Sequence, residues 1–235
     1  MSRAGLDKNR RDVAEMFDGV AKGYDRTNSV MTMGFDRRWR WLTRKVLEAT
    51  PKERILDLAA GTAVSTAEYA KSGAYCVAAD FSLGMLHGGG HREVPKVAAD
   101  AFHLPFRDAA FDAVTVSFGL RNMDDTLAAL REMRRVVRPG GRLVICEVSQ
   151  PPFRPIRWLH HNLVLRLMPK VTRLFSSNRD AYSYLAESMR EWHTQKALAK
   201  LIAEAGWSRV EWLNLTFGVV ALHRAINPEA PTTTS

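Results

Sequence analysis

The sequence predicts an α/β fold in which a mostly parallel sheet carries helices on both faces. Two observations carry this. Between Arg54 and Val148 short β-branched runs alternate with longer amphipathic ones, the pattern of βαβ units. The first run, Arg54-Ile55-Leu56-Asp57-Leu58, then passes through a loop of small residues straight into a helical pattern, the arrangement of a ligand-binding α/β crevice. At 235 residues, 46% hydrophobic and 25% charged, the chain has the composition of one large globular domain, which excludes disorder, collagen-like repeats and a small disulfide scaffold.

Residues 7–50 are basic and helical in pattern, with Arg37, Arg38, Arg40 and Arg44 interleaved with Trp39, Trp41 and Leu42. The core over 51–150 reads as strands near 54–59, 75–79, 96–99, 111–117 and 141–148, with helices near 63–72, 82–90 and 124–138. Arg134, Arg135 and Arg138 crowd the last turn of the third helix, and Pro139-Gly140-Gly141 is expected to end it and turn the chain. Residues 151–205 hold three helical patterns broken by Pro151-Pro152, Pro169 and Ser176-Ser177-Asn178. Trp207 to Arg224 reads as a closing hairpin with Asn214 at its turn, within C-terminal strands over 206–225, and 226–235 is a polar tail. There is no internal repeat.

Thirty-four Lys and Arg against 25 Asp and Glu give a net charge of +9, which favours an anion or an anionic surface as partner. Cys76 and Cys146 sit in apolar strand patterns and are expected to be buried thiols of a cytoplasmic protein. The N-terminus lacks the apolar core of a secretory signal. The longest uncharged apolar stretch, Trp212 to Leu222, falls far short of the roughly 20 residues that cross a bilayer. No spacing of His, Cys, Asp or Glu suggests a metal site.

The loop Ala59-Ala60-Gly61-Thr62-Ala63 lets a ligand approach the backbone, and the helix after it offers unpaired N–H groups. It does not match the G-x-G-x-x-G pattern of dinucleotide sites. Asp57, inside the strand end, would repel a pyrophosphate but suits a ligand carrying an amino group, which favours S-adenosylmethionine over NAD. Asp80 follows the strand Tyr75–Ala79, where a carboxylate can bind both ribose hydroxyls. Asp100-Ala101 offers an acceptor for an adenine amine and a small neighbour beside the ring. Each acid alone also reads as a helix cap; three at the tips of consecutive strands read as one nucleoside site.

Five further segments set the chain beside a known family: Phe17-Asp18-x-Val20-Ala21-x-x-Tyr24-Asp25-x-x-Asn28, Ser117-Phe118-Gly119-Leu120-Arg121-Asn122, Arg135-Val136-Val137-Arg138-Pro139-Gly140-Gly141 leading to Glu147-x-Ser149, Ala181-Tyr182-x-Tyr184-Leu185-x-Glu187-Ser188, and Leu215-Thr216-x-Gly218-x-Val220. From Val13 to Ala225 the chain resembles the class I S-adenosylmethionine-dependent methyltransferases, specifically the C-methyltransferases of ubiquinone and menaquinone biosynthesis. The resemblance implies a Rossmann-like fold on a seven-stranded sheet, with an N-terminal helical lid and a helical substrate cap. It implies cofactor contacts at Thr62, Asp80, Asp100, Ala101 and Ser117, with Asp57 and Gly61 shaping the methionine end. Ala63 departs from the glycine usual at that position in the family.

The implied reaction is C-methylation of a polyprenylated quinol. An oxidised quinone ring is electron-poor, so the reduced ring is the nucleophile, and the enzyme's main task is to align it and exclude water. Demethylmenaquinol is the leading substrate, with the benzoquinol of ubiquinone biosynthesis as the alternative. The resemblance makes Arg121 and Asn122 catalytic residues. Arg121 is too basic to take a proton, so it would steady the developing phenolate or order a water, and Asn122 would bond a ring oxygen. Tyr24 would contact the same oxygen or simply pack a lid. The proton acceptor stays open: His103, His193 and the pair His160-His161 titrate in the right range, but only His103 is placed by sequence beside the crevice, where it reads as a solvated loop residue, and the others read as surface or packing residues.

The stretch from Phe153 to Phe175 carries Arg154, Arg157, Arg166, Lys170 and Arg173 and no acid, with Trp158, Leu159, Leu163, Leu167, Met168 and Leu174 between them. It reads equally as an interfacial helix and as a cap over the domain's own pocket. Weak peripheral attachment at the inner face of the cell membrane is expected, and a homodimer is compatible with the sequence. Two rivals are an RNA or protein methyltransferase of the same fold and a nucleic-acid-binding module resting on the Arg37–Arg44 cluster. The first lacks an Asn-Pro-Pro-Tyr-type motif after the fourth strand, and the second rests on a pattern that ordinary amphipathic helices share, so no nucleic-acid partner is expected.

Overall fold

A computed structural model describes residues 15–18, 23–160, 162 and 187–229. Two N-terminal helices, α1 (Tyr24–Met31) and α2 (Phe35–Leu47), precede the alternating core: β1 (Arg54–Leu58), α3 (Val64–Ala70), β2 (Tyr75–Asp80), α4 (Leu83–Gly88), β3 (Lys96–Ala98), β4 (Phe111–Ser117), α5 (Thr126–Val136) and β5 (Val137–Val148). Then come α6 (Arg154–Leu159), α7 (Gln195–Glu204), β6 (Ser208–Leu215) and β7 (Val220–Ile226). The strand order is β3-β2-β1-β4-β5-β7-β6. The first five are parallel neighbours, whereas β7 runs antiparallel to both β5 and β6. This is the seven-stranded, mostly parallel sheet that the resemblance implied.

Alternation along the strands fills two cores. On β5, Leu143 and Ile145 face one layer with Leu130, Met133 and Val136 of α5 and Leu198 and Ile202 of α7, while Val144 and Cys146 face the other with Trp39 and Leu47 of α2 and Tyr69 of α3. In α5 the buried Ala129, Leu130, Met133 and Val136 fall on one helical stripe, and Asp125 caps the helix by accepting the Ala128 N–H at 2.9 Å. Burying a residue such as Leu130 fully stabilises the fold by roughly 1.5–3 kcal/mol. The Arg-Trp segment is likewise amphipathic: Asp36, Trp39, Thr43 and Leu47 are buried along one face of α2. Cys76 and Cys146 are buried free thiols, and burial pushes both up to about 12.

Two turn expectations are corrected. Helix α5 ends at Val136, and Pro139-Gly140-Gly141 lies within β5, where the pairing with β4 slips from Phe111↔Val137 to Ala113↔Arg142. Gly140 takes φ +75 there, and its N–H donates to the Asn227 carbonyl at 2.8 Å, so the segment is a pinned bulge. Asn214 is an ordinary β6 residue paired with Ala221; the reversal comes after it, in a short 3₁₀ turn over Thr216–Gly218. The Ala181–Leu185 motif, His161 and most of the basic stretch after His160 lie outside the described residues, as do Val20 and Ala21.

Candidate active site

The strand order reverses between β1 and β4, and in an open α/β sheet a ligand crevice opens beyond the strand ends at such a point. A cavity of about 470 Å³ lies there, bounded by the loops after β1, β2 and β4 and roofed by the N-terminal helices. Predicted residues Tyr24, Gly61, Thr62, Asp80, Asp100, Ala101, Ser117, Arg121 and Asn122 all border it. Asp57 does not. Strand alternation turns it from the cavity toward α3, where it is 1% exposed and its Oδ2 accepts the Thr66 hydroxyl at 2.6 Å.

The Asp57 Oδ1 is buried with no hydrogen-bond partner in the protein. Burial drives its pKa up; the Thr66 hydrogen bond lowers it and the nearby Asp80 raises it, leaving the carboxyl pushed up to about 7. One turn along α3, the Tyr69 hydroxyl lies 2.8 Å from Ser117 Oγ, so a buried polar row supports the floor of the site. Asp80 uses both oxygens to fix the walls: Oδ2 accepts the Gly61 N–H at 2.7 Å and Oδ1 the Ser82 N–H at 2.8 Å. Burial raises its pKa against those bonds. Asp100 Oδ1 accepts the Phe102 N–H at 3.0 Å, turning Ala101 and Phe102 onto the wall.

Loop packing explains the small residues. A Cβ on Gly119 would sit 2.4 Å from the Ala59 Cβ, so only glycine lets the loops after β1 and β4 meet. Ala63 adopts φ +59, which accounts for the glycine usual at that position in the family; the alanine carries left-handed strain of about 1–2 kcal/mol.

Four side chains that sequence reasoning gave no role complete the frame. Asp25 accepts the Thr62 hydroxyl at 2.6 Å and pairs with Arg92 at 2.6 Å, while Arg92 also donates to the Thr62 carbonyl at 2.7 Å. Asp18 accepts from the Ser82 hydroxyl and from the Gly84 N–H at 3.0 Å. Two acids of the N-terminal segment thus fasten it over the loops after β1 and β2. Asp36 borders the cavity; burial would raise its carboxyl, but Arg40 and the Ser29 and Thr32 hydroxyls hold it below the usual range. Asp18 and Asp25 were visible only as parts of a family motif, and Arg92 gave no signal.

At the tips of β4 and β5, Arg121 is 4% exposed and Glu147 1%. Arg121 Nη1 donates to Glu147 Oε1 at 2.8 Å and to the Phe118 carbonyl at 2.6 Å, whereas its buried Nε has no partner in the protein. An oriented guanidinium with a spare donor at a largely apolar cavity suits an incoming ring oxygen. Trp39 and Phe118, with ring centroids 5.6 Å apart, supply aromatic wall nearby. His103 is solvated as expected, 84% exposed at its side chain and 3.8 Å from Asp100, while His160 is buried and borders the cavity. Among the described residues no cluster of three potential metal ligands occurs.

The cavity fits S-adenosylmethionine: Asp80 and Asp100 face it at the strand tips, and the buried Asp57 Oδ1 lacks a partner beside a loop made for a ligand bearing an amino group. Solved structures share the fold. A SAM-dependent methyltransferase from Thermotoga maritima superposes with a TM-score of 0.67 at 17% identity, covering 92% of this chain and 99% of that one. A Haemonchus contortus phosphoethanolamine N-methyltransferase, solved with S-adenosylhomocysteine, gives 0.63 at 14% identity over 97% of this chain and 61% of that one. Demethylmenaquinone methyltransferase of Mycolicibacterium paratuberculosis is 62% identical over 228 residues, 97% of this chain and 99% of its own. The Mycobacterium marinum protein of that name is 59% identical over 229 residues, with the same coverage. With a family model matching residues 4–227 as well, the chain belongs to the ubiE/COQ5 methyltransferase family.

Proposed function

We propose that this S-adenosylmethionine-dependent methyltransferase C-methylates the ring of a polyprenylated quinol, demethylmenaquinol, at a membrane surface. The observation that carries the reading is one cavity bordered by Asp80 and Asp100 at the β2 and β3 tips and by Arg121 and Asn122 beyond β4. The substrate follows the relatives' name.

S-Adenosylmethionine supplies a methyl group on a sulfonium, with a neutral thioether as leaving group. Asp80 would take the ribose hydroxyls, Asp100 and Ala101 the adenine, and Gly61, Thr62 and Ser117 the methionine end, with Asp57 balancing the ammonium through the loop. Arg121 and Asn122 hold the ring oxygen, so that negative charge arising there meets fixed donors. Tyr24, Phe35 and Trp39 close the roof and exclude water. The prenyl tail leaves past α6 and the 3₁₀ turn, where Phe153, Trp158 and Phe217 are 62%, 67% and 77% exposed. Among the described residues no helix is long and apolar enough to cross a membrane, and the exposed aromatic rings beside a net positive charge support peripheral attachment.

The test is an assay of methyl transfer to reduced demethylmenaquinol, to its oxidised form and to a demethylated benzoquinol. Transfer is expected to the reduced naphthoquinol alone. A protein that binds S-adenosylmethionine yet methylates no quinol would overturn the reading.

A further inference from the structure

We propose that Arg40 binds the second ring hydroxyl of the quinol, the one beside the tail-bearing carbon, so that the site selects a para-dihydroxy ring. The inference rests on the reading above and adds a residue to its substrate site. Arg121 and Asn122 hold one ring oxygen, yet a quinol carries two, on opposite edges of the ring. A ring pinned at one atom can swing about it and carry its reacting carbon off the methyl axis, whereas two pins fix its heading.

The roof of the cavity offers the second pin. Arg40 of α2 borders the same cavity as Arg121, and so does Asp36, one helical turn earlier. Arg40 Nη2 donates to Asp36 Oδ2 at 2.7 Å, and Asp36 is itself seated by the Ser29 hydroxyl at 2.9 Å and the Thr32 hydroxyl at 3.1 Å. Among the described residues two guanidiniums border the cavity, and each is steadied by a buried carboxylate: Arg121 by Glu147 from the sheet, Arg40 by Asp36 from the roof. A guanidinium carries five N–H donors in a rigid fork, and the bond to Asp36 uses one of them. The two walls are packed together. The Trp39 ring lies 5.6 Å from that of Phe118, whose carbonyl accepts Arg121 Nη1 at 2.6 Å, so the two guanidiniums approach one cavity from separate, touching elements.

The tail decides which hydroxyl each one takes. The methyl group goes to the ring carbon beside the oxygen that Arg121 holds, and the prenyl tail leaves from the next carbon, beside the other oxygen. That tail exits past the 3₁₀ turn, and Trp39, the residue before Arg40 on α2, donates to the Thr216 hydroxyl of this turn at 2.9 Å. The tail-side hydroxyl therefore falls under α2, where it accepts a charge-assisted hydrogen bond from the Arg40 fork.

The experiment measures dissociation constants, with S-adenosylhomocysteine present, for short-tailed demethylmenaquinol kept reduced and for the same compound with hydrogen in place of the tail-side hydroxyl. Wild type is expected to bind the diol about 30-fold more tightly, the range of one hydrogen bond to a charged group. Arg40→Met is expected to bind the two compounds alike, with unchanged affinity for S-adenosylmethionine and for the monohydroxy compound. Arg40→Lys keeps the charge beside Asp36 and serves where the methionine variant fails to fold; it should lose about fivefold on the diol, for want of the fork, and nothing on the analogue. Equal binding of both compounds by wild type would overturn the inference. So would a loss in the variants shared equally by both compounds, the mark of a merely structural role. A wild type that separates the two compounds but methylates no quinol would instead overturn the functional reading, since binding is read without turnover.

Discussion

Glu147 clamps Arg121 from two sides: Oε1 accepts Nη1 at 2.8 Å, and Oε2 accepts the Arg121 backbone N–H at 3.3 Å. The strand therefore fixes both the guanidinium and the turn that carries it. Removing one partner of a buried pair strands the other charge, so Glu147→Ala should cost about 3–5 kcal/mol in thermal or urea unfolding. Glu147→Gln keeps the shape but frees the guanidinium to turn. It should lower kcat about 100-fold, as misaligned groups do, with the KM for S-adenosylmethionine unchanged. Equal kcat in Glu147→Gln and wild type would mean that the clamp is only structural.

Asp57 gives the ligand-free protein a pH dependence opposite to that of a salt-bridged acid. Its folded pKa lies near 7, above the ordinary carboxylate value, because burial penalises the ion. Between about pH 4 and 7 the folded state holds a proton that the unfolded chain has lost, so stability falls as pH rises. The penalty reaches roughly 4 kcal/mol above pH 7. Asp57→Asn should flatten that slope in melts taken from pH 5 to 8. A bound ammonium favours the ionised carboxyl, so S-adenosylmethionine should release close to one proton per site near pH 6. Calorimetry in buffers of different ionisation heat reads this directly, and buffer-independent heats would refute it.

Arg92 ties the Thr62 loop to Asp25 of the roof, joining residues 67 positions apart. Hydrogen bonds to charged groups are worth about 1.5–3 kcal/mol each, so Arg92→Gln should loosen the roof without unfolding the sheet. Expected are a roughly tenfold higher KM for S-adenosylmethionine, a kcat within about threefold of wild type, and faster tryptic cleavage of the N-terminal segment. Unchanged KM and cleavage would dismiss the clamp.

What the chain reveals of itself divides by range. Strands β1, β2 and β4 were legible because apolar residues recur at the sheet's own spacing, and the strand-tip acids because a ligand needs them just there. The α5–β5 junction misled: Pro139-Gly140-Gly141 reads as a helix stop, but its bulge is pinned by backbone bonds to Asn227, far along the chain. Asn214 misled for the same reason. The true reversal is held by Trp39 donating to the Thr216 hydroxyl at 2.9 Å and Gln195 to the Gly218 carbonyl at 3.2 Å. Arg92 serves the site through tertiary contacts alone, and local pattern carries no trace of such contacts. Asp57 was legible as important but not as buried behind the loop.

Asp80 has two duties that one substitution can separate. It braces Gly61 and Ser82 through its oxygens and faces the cavity where the ribose would lie. Asp80→Asn keeps an acceptor for one N–H but loses the charge that binds paired hydroxyls. The dissociation constant for S-adenosylmethionine should rise about 100-fold, since charged hydrogen bonds of this kind are worth roughly 1.5–3 kcal/mol. The melting temperature of the ligand-free protein should move by only a few degrees. Calorimetry with and without ligand distinguishes this from general unfolding.

The last prediction concerns the outer rim. Thr216 and Phe217 both hold positive φ, +47 and +58, a strained turn that leaves Phe217 77% exposed. A Cβ on Gly218 would meet Pro152, so the turn that carries Phe217 packs on the segment that leads into the exposed Phe153. In water such rings gain nothing, whereas each one inserted into a lipid interface gains roughly 1.5–3 kcal/mol. Replacing Phe153, Trp158 and Phe217 with Ser should cut sedimentation with anionic phospholipid vesicles about tenfold per residue. Turnover of a quinol with a short tail should stay unchanged, because none of the three borders the cavity. Turnover of a vesicle-embedded long-chain quinol should fall in parallel with binding, and salt should weaken the remaining attachment through the basic surface. Undiminished vesicle binding by the triple variant would place the membrane contact elsewhere on the chain.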